Sequence, residues 1–447
     1  MKITTEGNKH LGAALGSNDH REQFVKDKVA EWVKEIECLS SFALTVPHAS
    51  YSAFVHGIRH KWTYVMRTIE GISDLLLPLE KVIREKLIPA LCGKVVNDLE
   101  RKLLALPPRL GGMGIINPSD ASQFEYESSC KLTDQQQQFI VDQVDNGEID
   151  VNALTKAKLK IKESRAEKQL EVLEEILQSV DSSQKRLIEC TIEKGASNWL
   201  NCLPLKSEGY SLNKQEFKDS IKLRYGWQLE GLPSTCACGQ SFSVSHASSC
   251  KLGGFIHMRH NEVRDITAKF LDEVCYDVKV EPPLIPLTTE HFRLGTANRS
   301  EDARLDISAR GFWNRGQRAF FDVRVFDSAA PRLLHKSLKS IHQSHEQEKR
   351  RAYNQRVIKV EHGSFTPLVF STVGGQSYEC GRFYNRLSTL LSEKRGEHKS
   401  QTTAYIRCKI NFSLLRSALV CLRGTRSLRN TEINSSSDLV NTMAGVN

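Results

Sequence analysis

Apolar residues recur at helical spacing over the first hundred positions. In Phe24–Ile36 the set Val25, Val29, Trp32, Val33 and Ile36 falls on one side of a 3.6-residue helix. Asn18 or Asp19 stands where a cap is needed. Amphipathic stretches follow at 50–71 and 76–104. Leu106-Pro-Pro-Arg-Leu-Gly-Gly-Met-Gly-Ile115 then ends the helical pattern, because prolines and glycines in that density predict a close-packed turn. Residues 128–190 are richer in Gln, Lys and Glu, and 155–180 reads as one long polar helix. From 257 the period changes. Helices are predicted at 258–275 and 335–358. Strands are predicted at Val278–Val280, Arg304–Ser308, Ala319–Val325 and Leu368–Thr372, an order that suggests an α/β layer.

Length and composition narrow this picture. A chain of 447 residues predicts two or three domains, and 40% hydrophobic with 26% charged residues is the balance of a soluble globular protein. No apolar run reaches the roughly 20 residues a bilayer requires, and the N-terminus has no apolar signal core, so no membrane partner is expected. The net charge of +9 suits a polyanionic partner without requiring one. Between Ser388 and Asn430 nine Lys/Arg stand against two acids, which reads either as a phosphate-binding stripe or as a solvated basic face. In a reducing compartment the twelve cysteines are expected to be free or metal-bound, most of them as small buried hydrophobes.

Two clusters carry candidate chemistry. Cys236-Ala-Cys238-Gly239 and His246-Ala-Ser-Ser-Cys250 offer four soft or borderline ligands in two close pairs, the donor set of a structural Zn²⁺ site. The bland alternative is a reduced cysteine pair beside an unrelated histidine. The second cluster is acidic. Asp322 interrupts the apolar strand Ala319-Phe-Phe-Asp-Val-Arg-Val, and a buried lone carboxylate costs several kcal/mol unless it is paired or metal-bound. Asp306 lies in the preceding strand, and Gly311–Gly316 between them reads as a hairpin loop that brings the two acids together. Lys349 and Tyr353 are four apart on the next helix, hence on one face. Two aspartates holding Mg²⁺ or Mn²⁺, with a nearby ammonium and phenol, can hydrolyse a phosphodiester. Salt bridges from Arg304 and Arg324 to the aspartates, and a solvated face for Lys349 and Tyr353, are the competing readings.

The order of these parts resembles the C-terminal half of non-LTR retrotransposon proteins: a Cys–Cys–His–Cys knuckle, Arg259–Asp265, the strands of Asp306 and Asp322, and the Lys349…Tyr353 helix. That half carries a restriction-enzyme-like endonuclease of the PD-(D/E)xK type. The resemblance implies that Asp306 takes the first acidic position, with Leu305 in place of proline, and Asp322 the second. Arg324 stands where the motif's lysine is expected, which points to Lys349 with Tyr353. Glu262 resembles the acid of the first nuclease helix, with Glu281 the competitor. Upstream, His10-Leu11-Gly12 resembles a segment beside the reverse transcriptase palm, and 20–127 resembles the thumb with its GGLGI-like turn.

The implied fold class is α+β and multi-domain. It consists of a thumb-like helical region over 1–127, a helical linker over 128–228, a zinc knuckle over 229–256, a restriction-like α/β endonuclease domain over 257–430, and a disordered tail over 431–447. The implied function is a Mg²⁺- or Mn²⁺-dependent nick in target DNA that primes copying of element RNA, in the nucleus. No Tyr-x-Asp-Asp pair occurs, so reverse transcription by this chain alone is not expected. An inactive nucleic-acid-binding remnant, and a Holliday-junction or repair nuclease with the same core, are the rival readings.

Overall fold

The structure, a computed structural model, describes residues 6–144, 147–292 and 303–424. It is α+β and divides into two compact units, one of residues 1–180 and 203–221, the other of 181–202 and 222–447. The stretch expected to be a linker is thus shared between both units. The expected tail over 431–447 lies outside the described residues.

The first unit opens with a hairpin, β1 (Gly7–His10) and β2 (Ala13–Gly16), turned at Leu11 and Gly12 with φ of 46° and 91°. Helix α1 (Asn18–Ala43) begins one residue earlier than expected, because the Ser17 side chain caps it by accepting from the His20 N–H. Its buried face is Val25, Val29, Trp32 and Ile36, on the predicted side. The two further amphipathic stretches are broken into α2 (Pro47–His56), α3 (Thr63–Thr68), α4 (Leu77–Val82), α5 (Ile88–Cys92) and α6 (Asp98–Ala105). Prolines at the first turns of α2 and α4 fit starts rather than interiors, whereas α5, with Pro89 in its first turn, follows directly on a π-helical turn, Ile83–Leu87, that joins it to α4.

The 106–115 turn folds back on α6. Met113 and Ile115 donate N–H groups to the Leu104 carbonyl. At Gly112 a Cβ would collide with the Leu106 carbonyl, so only glycine fits. Helices α7 (Pro118–Val141) and α8 (Val151–Ser179) follow.

The second unit starts with α9 (Ser182–Ile192), and α10 (Lys214–Tyr225) straddles the boundary between units. After α11 (Val244–Ser249) comes a layered core. Its sheet runs β3 (Tyr276–Val280), β4 (Ile307–Arg310), β5 (Arg318–Phe326) and β6 (Ser364–Ser371) in that spatial order. The first two pairings are antiparallel and β5–β6 is parallel. Parallel neighbours need a crossover, which α13 (Leu338–Lys359) supplies.

Strand alternation decides what each face of the sheet meets. Ile307, Ala309, Phe321, Val323, Leu368 and Phe370 pack with α12 (Phe255–Val274), α14 (Tyr378–Arg395) and α15 (Lys399–Arg423). Phe320, Phe365 and Phe326 face the other way, onto Tyr353, Val357 and Ile341 of α13. Asp322 belongs to this second face.

Three expectations are corrected. Asp306 lies in the bend just before β4 rather than within a strand. Its backbone carbonyl accepts from the Glu281 N–H at 2.9 Å, and its side chain is tied to β5, as described below. The cysteines were expected to be unpaired, but Cys202 and Cys408 form a disulfide across 206 residues. Packing of the 198–202 turn against α15, where the Asn198 N–H donates to Asn411 at 3.2 Å, brings them together. Cys38, expected to be buried, is exposed.

Candidate metal centre and acid cluster

The Cys–His cluster is built by a short hairpin and a capped helical turn. Thr235 and Ser241 pair across the hairpin, and Gly239 turns it with φ of 86°. Ser243 caps α11 through the His246 N–H, which orients His246 toward the cysteines. The ligand atoms of Cys236, Cys238, His246 and Cys250 all lie within 4.8 Å of one another.

A tetrahedral Zn²⁺ with Zn–S bonds of about 2.3 Å sets its sulfurs about 3.8 Å apart. Cys236 and Cys250 Sγ are 3.8 Å apart, and Cys238 Sγ is 3.3 Å from His246 Nε2. Burial pushes the Cys236 thiol up, but the Cys238 backbone N–H and the His246 and Cys238 side chains outweigh it and bring it down to about 6. A thiolate at neutral pH is what a zinc ligand needs. The Cys₃His cluster can bind a metal ion such as zinc.

The acid cluster forms at one end of the β4–β5 pairing. Ile307 faces Phe321 in that register. One further step sets Asp306 opposite Asp322, and cross-strand partners share a face. Asp306 Oδ2 accepts from the Val323 N–H at 2.6 Å, and its Oδ1 lies 3.1 Å from His260 Nε2. Asp322 is 3% exposed, and its Oδ2 is 2.7 Å from Lys349 Nζ. Burial pushes the Asp322 carboxyl up to about 6, against the pull of Lys349 and with a push from Asp306. Burial opposes the Lys349 charge, yet Asp322 more than compensates and its pKa is raised. The Tyr353 ring lies 5.7 Å from Lys349 Nζ and packs on Phe365; burial, then Asp322, push its phenol up.

Arg324 and Arg304 do not pair with the aspartates. Arg324 meets Glu348 at 3.1 Å and Arg304 meets Glu281 at 3.5 Å. Lys349 and Tyr353 are not a solvated face either, since α13 turns both inward.

Glu262 does not join the cluster. It lies two residues, about 200° of helix, beyond His260, and its charged neighbours are Asp265, Lys269 and Arg416. Burial pushes its carboxyl up. Glu281, the competitor, is held by Arg264 and Arg304. The residue α12 does deliver to Asp306 is His260, which sequence reasoning missed. Its only signal is its i, i+4 spacing from Arg264, which reaches Glu281.

The basic stripe of 388–430 is partly consumed inside the unit. Arg395 makes a two-pronged ion pair with Glu273 and lies over Tyr405, Lys394 caps the Glu273 carbonyl, and Arg407 is half-buried. Arg426 and Arg429 lie outside the described residues. Among the described residues no helix is long and apolar enough to cross a membrane.

The chain matches no protein-family model, and no curated protein shows significant similarity to it.

Proposed function

We propose that the second unit is a metal-dependent DNA endonuclease module of a retrotransposon-type protein, carrying a structural zinc knuckle, with the first unit a thumb-like remnant. The nick would free a 3′ end to prime copying of element RNA in the nucleus. One observation carries this reading: a buried carboxylate, Asp322, meets Lys349 at 2.7 Å and, by extension of the β4–β5 register, stands opposite Asp306. A carboxylate is costly in such a place, and its presence there fits a hard-ion site.

Asp306 and Asp322 are the residues that would hold Mg²⁺ or Mn²⁺. Two aspartates of which one is buried are a donor set suited to such an ion. When bound, it supplies Lewis acidity and an activated water. Lys349 keeps its proton and provides fixed positive charge beside the acids. Tyr353 holds the Lys349 side chain in place and keeps its own proton. His260 orients Asp306.

A second reading, an inactive nucleic-acid-binding remnant, is favoured by Arg324. The position where the motif's lysine is expected is occupied by an arginine locked to Glu348, and arginine is a poor proton shuttle. Plasmid nicking decides between them. Full-length protein with Mg²⁺ or Mn²⁺ should convert supercoiled plasmid to the nicked circle, and Asp306→Ala and Asp322→Asn should each abolish conversion while keeping the far-UV spectrum. Absence of nicking with any divalent ion, alongside salt-sensitive DNA binding, selects the second reading.

A further inference from the structure

The first unit contains a cleft of about 440 Å³ between α3, α6, α7 and α8, to which no role has so far been given. That volume is in the range of small-molecule sites. Its apolar lining includes Trp62, Met66, Leu106, Phe124 and Val172. Its charged lining is unbalanced, with Arg59, Arg67, Lys102, Arg165 and Lys168 against Asp120 and Glu125.

The geometry of the charges is more informative than their number. Glu125 is buried, and each of its oxygens takes a different arginine. Arg67 reaches Oε2 at 2.9 Å and Arg165 reaches Oε1 at 2.8 Å. One carboxylate therefore holds two guanidiniums side by side and neutralises only one of them. Their side chains remain 52% and 39% exposed, which leaves N–H groups turned toward solvent. Asp120 accepts from the Asn117 amide at 2.8 Å and is not paired with either arginine. Lys168 Nζ and the Arg165 guanidinium lie 4.8 and 4.9 Å from the centre of the Phe124 ring, so Lys168 adds one further positive charge beside the apolar lining.

We infer that this cleft binds a nucleotide: the Arg67–Glu125–Arg165 fork takes the phosphate, and the apolar lining takes the base. Guanidiniums already held in place bind phosphate through paired, charge-assisted hydrogen bonds without further ordering. A flat ring with one phosphate matches an apolar lining beside a charged fork better than an inorganic ion or a neutral nucleoside does. The nucleotide can be free or part of a strand, because the recognised chemistry is the same.

Calorimetric titration of the full chain at low salt tests this with adenosine 5′-monophosphate, adenosine, inorganic phosphate and a 5′-phosphorylated hexa-deoxyadenylate. The monophosphate should bind at least about tenfold tighter than adenosine or phosphate. Arg165→Met and Lys168→Met should each weaken it about fivefold or more and leave adenosine unchanged. Lys168→Met touches no ion pair of Glu125, so it reports even if Arg165→Met unfolds. A hexanucleotide preferred over the monophosphate assigns the site to a strand, and the reverse preference assigns it to a free nucleotide; both uphold the cleft. Equal binding of monophosphate and phosphate, or unchanged affinity in both variants, overturns it. Asp306→Ala should bind the monophosphate like the parent, which separates this test from the nuclease reading.

Discussion

Asp322 sits on the α13 face of β5, with the buried Phe320 two residues before it and Arg324, paired to Glu348, two residues after it. Its carboxyl is raised from 3.8 to about 6, first by burial. A raised carboxyl means that the folded protein prefers the protonated acid. The stability this group brings is therefore present at low pH and is lost as pH rises through about 6, by about 3 kcal/mol in full. Lys349 limits that loss, because it offers its charge only to the ionised acid. Lys349→Met should then cost about 3–5 kcal/mol at pH 8, where it strands a buried carboxylate. At pH 5, where the acid is neutral, it should cost about 1 kcal/mol. Urea unfolding of zinc-loaded protein free of other divalent ions measures both, and equal losses at the two pH values would remove the ion pair from the account.

Asp322 was legible in the sequence because one acid interrupts an otherwise apolar strand. His260 was not, because a lone histidine on an amphipathic helix carries no sign of which way the helix is rotated against the sheet. Glu262 was misplaced for the same reason. Sequence gives the periodicity of α12, and packing against α15 and the sheet sets its phase.

At the level of elements, the Cys–His cluster depends on two turns that bring four candidate ligands together. Ligand spacing in the sequence announced it, since Cys236 with Cys238 and His246 with Cys250 are local pairs, and local pairs survive any uncertainty about the fold. The protein should carry one equivalent of Zn²⁺ per chain, and Cys238→Ser should weaken zinc affinity by more than the roughly 10–100-fold that loss of an outer-shell partner costs. Competition with a chromophoric chelator measures the affinity. Unchanged affinity in the variant would exclude Cys238 as a ligand. The β4–Gly311–Gly316–β5 hairpin was equally readable, and both glycines turn with positive φ, 92° and 84°. By contrast, the breaks within 50–71 and 76–104 were hidden, because the hydrophobic pattern continues through the turns that end α2 and α5 and through the π-helical segment Ile83–Leu87.

Across the whole molecule, the order of the chain and the grouping of the units diverge. Residues 181–202 read as part of a linker, yet they build the second unit. Glu193 meets His342 at 2.7 Å, Arg186 donates to the Leu334 carbonyl at 3.1 Å, and Cys202 is bonded to Cys408. These partners lie 148 or more residues away in the chain, and no local pattern announces them. A fragment of residues 181–424, whose segment 203–221 groups with the first unit, should unfold cooperatively. A fragment of 229–424 should lose several kcal/mol, because His342 and Asn411 lose partners while buried. Chemical denaturation of the two fragments compares them, and equal midpoints would show that 181–202 adds nothing to the second unit.

The central claim is that Asp306 and Asp322 together hold one divalent ion. Calorimetric titration of zinc-loaded protein with Mn²⁺ at pH 8 addresses it directly, without depending on a DNA substrate. The account predicts one Mn²⁺ per chain in the parent protein and none at the same concentrations in Asp306→Asn or Asp322→Asn. Unchanged Mn²⁺ binding in both variants would contradict it.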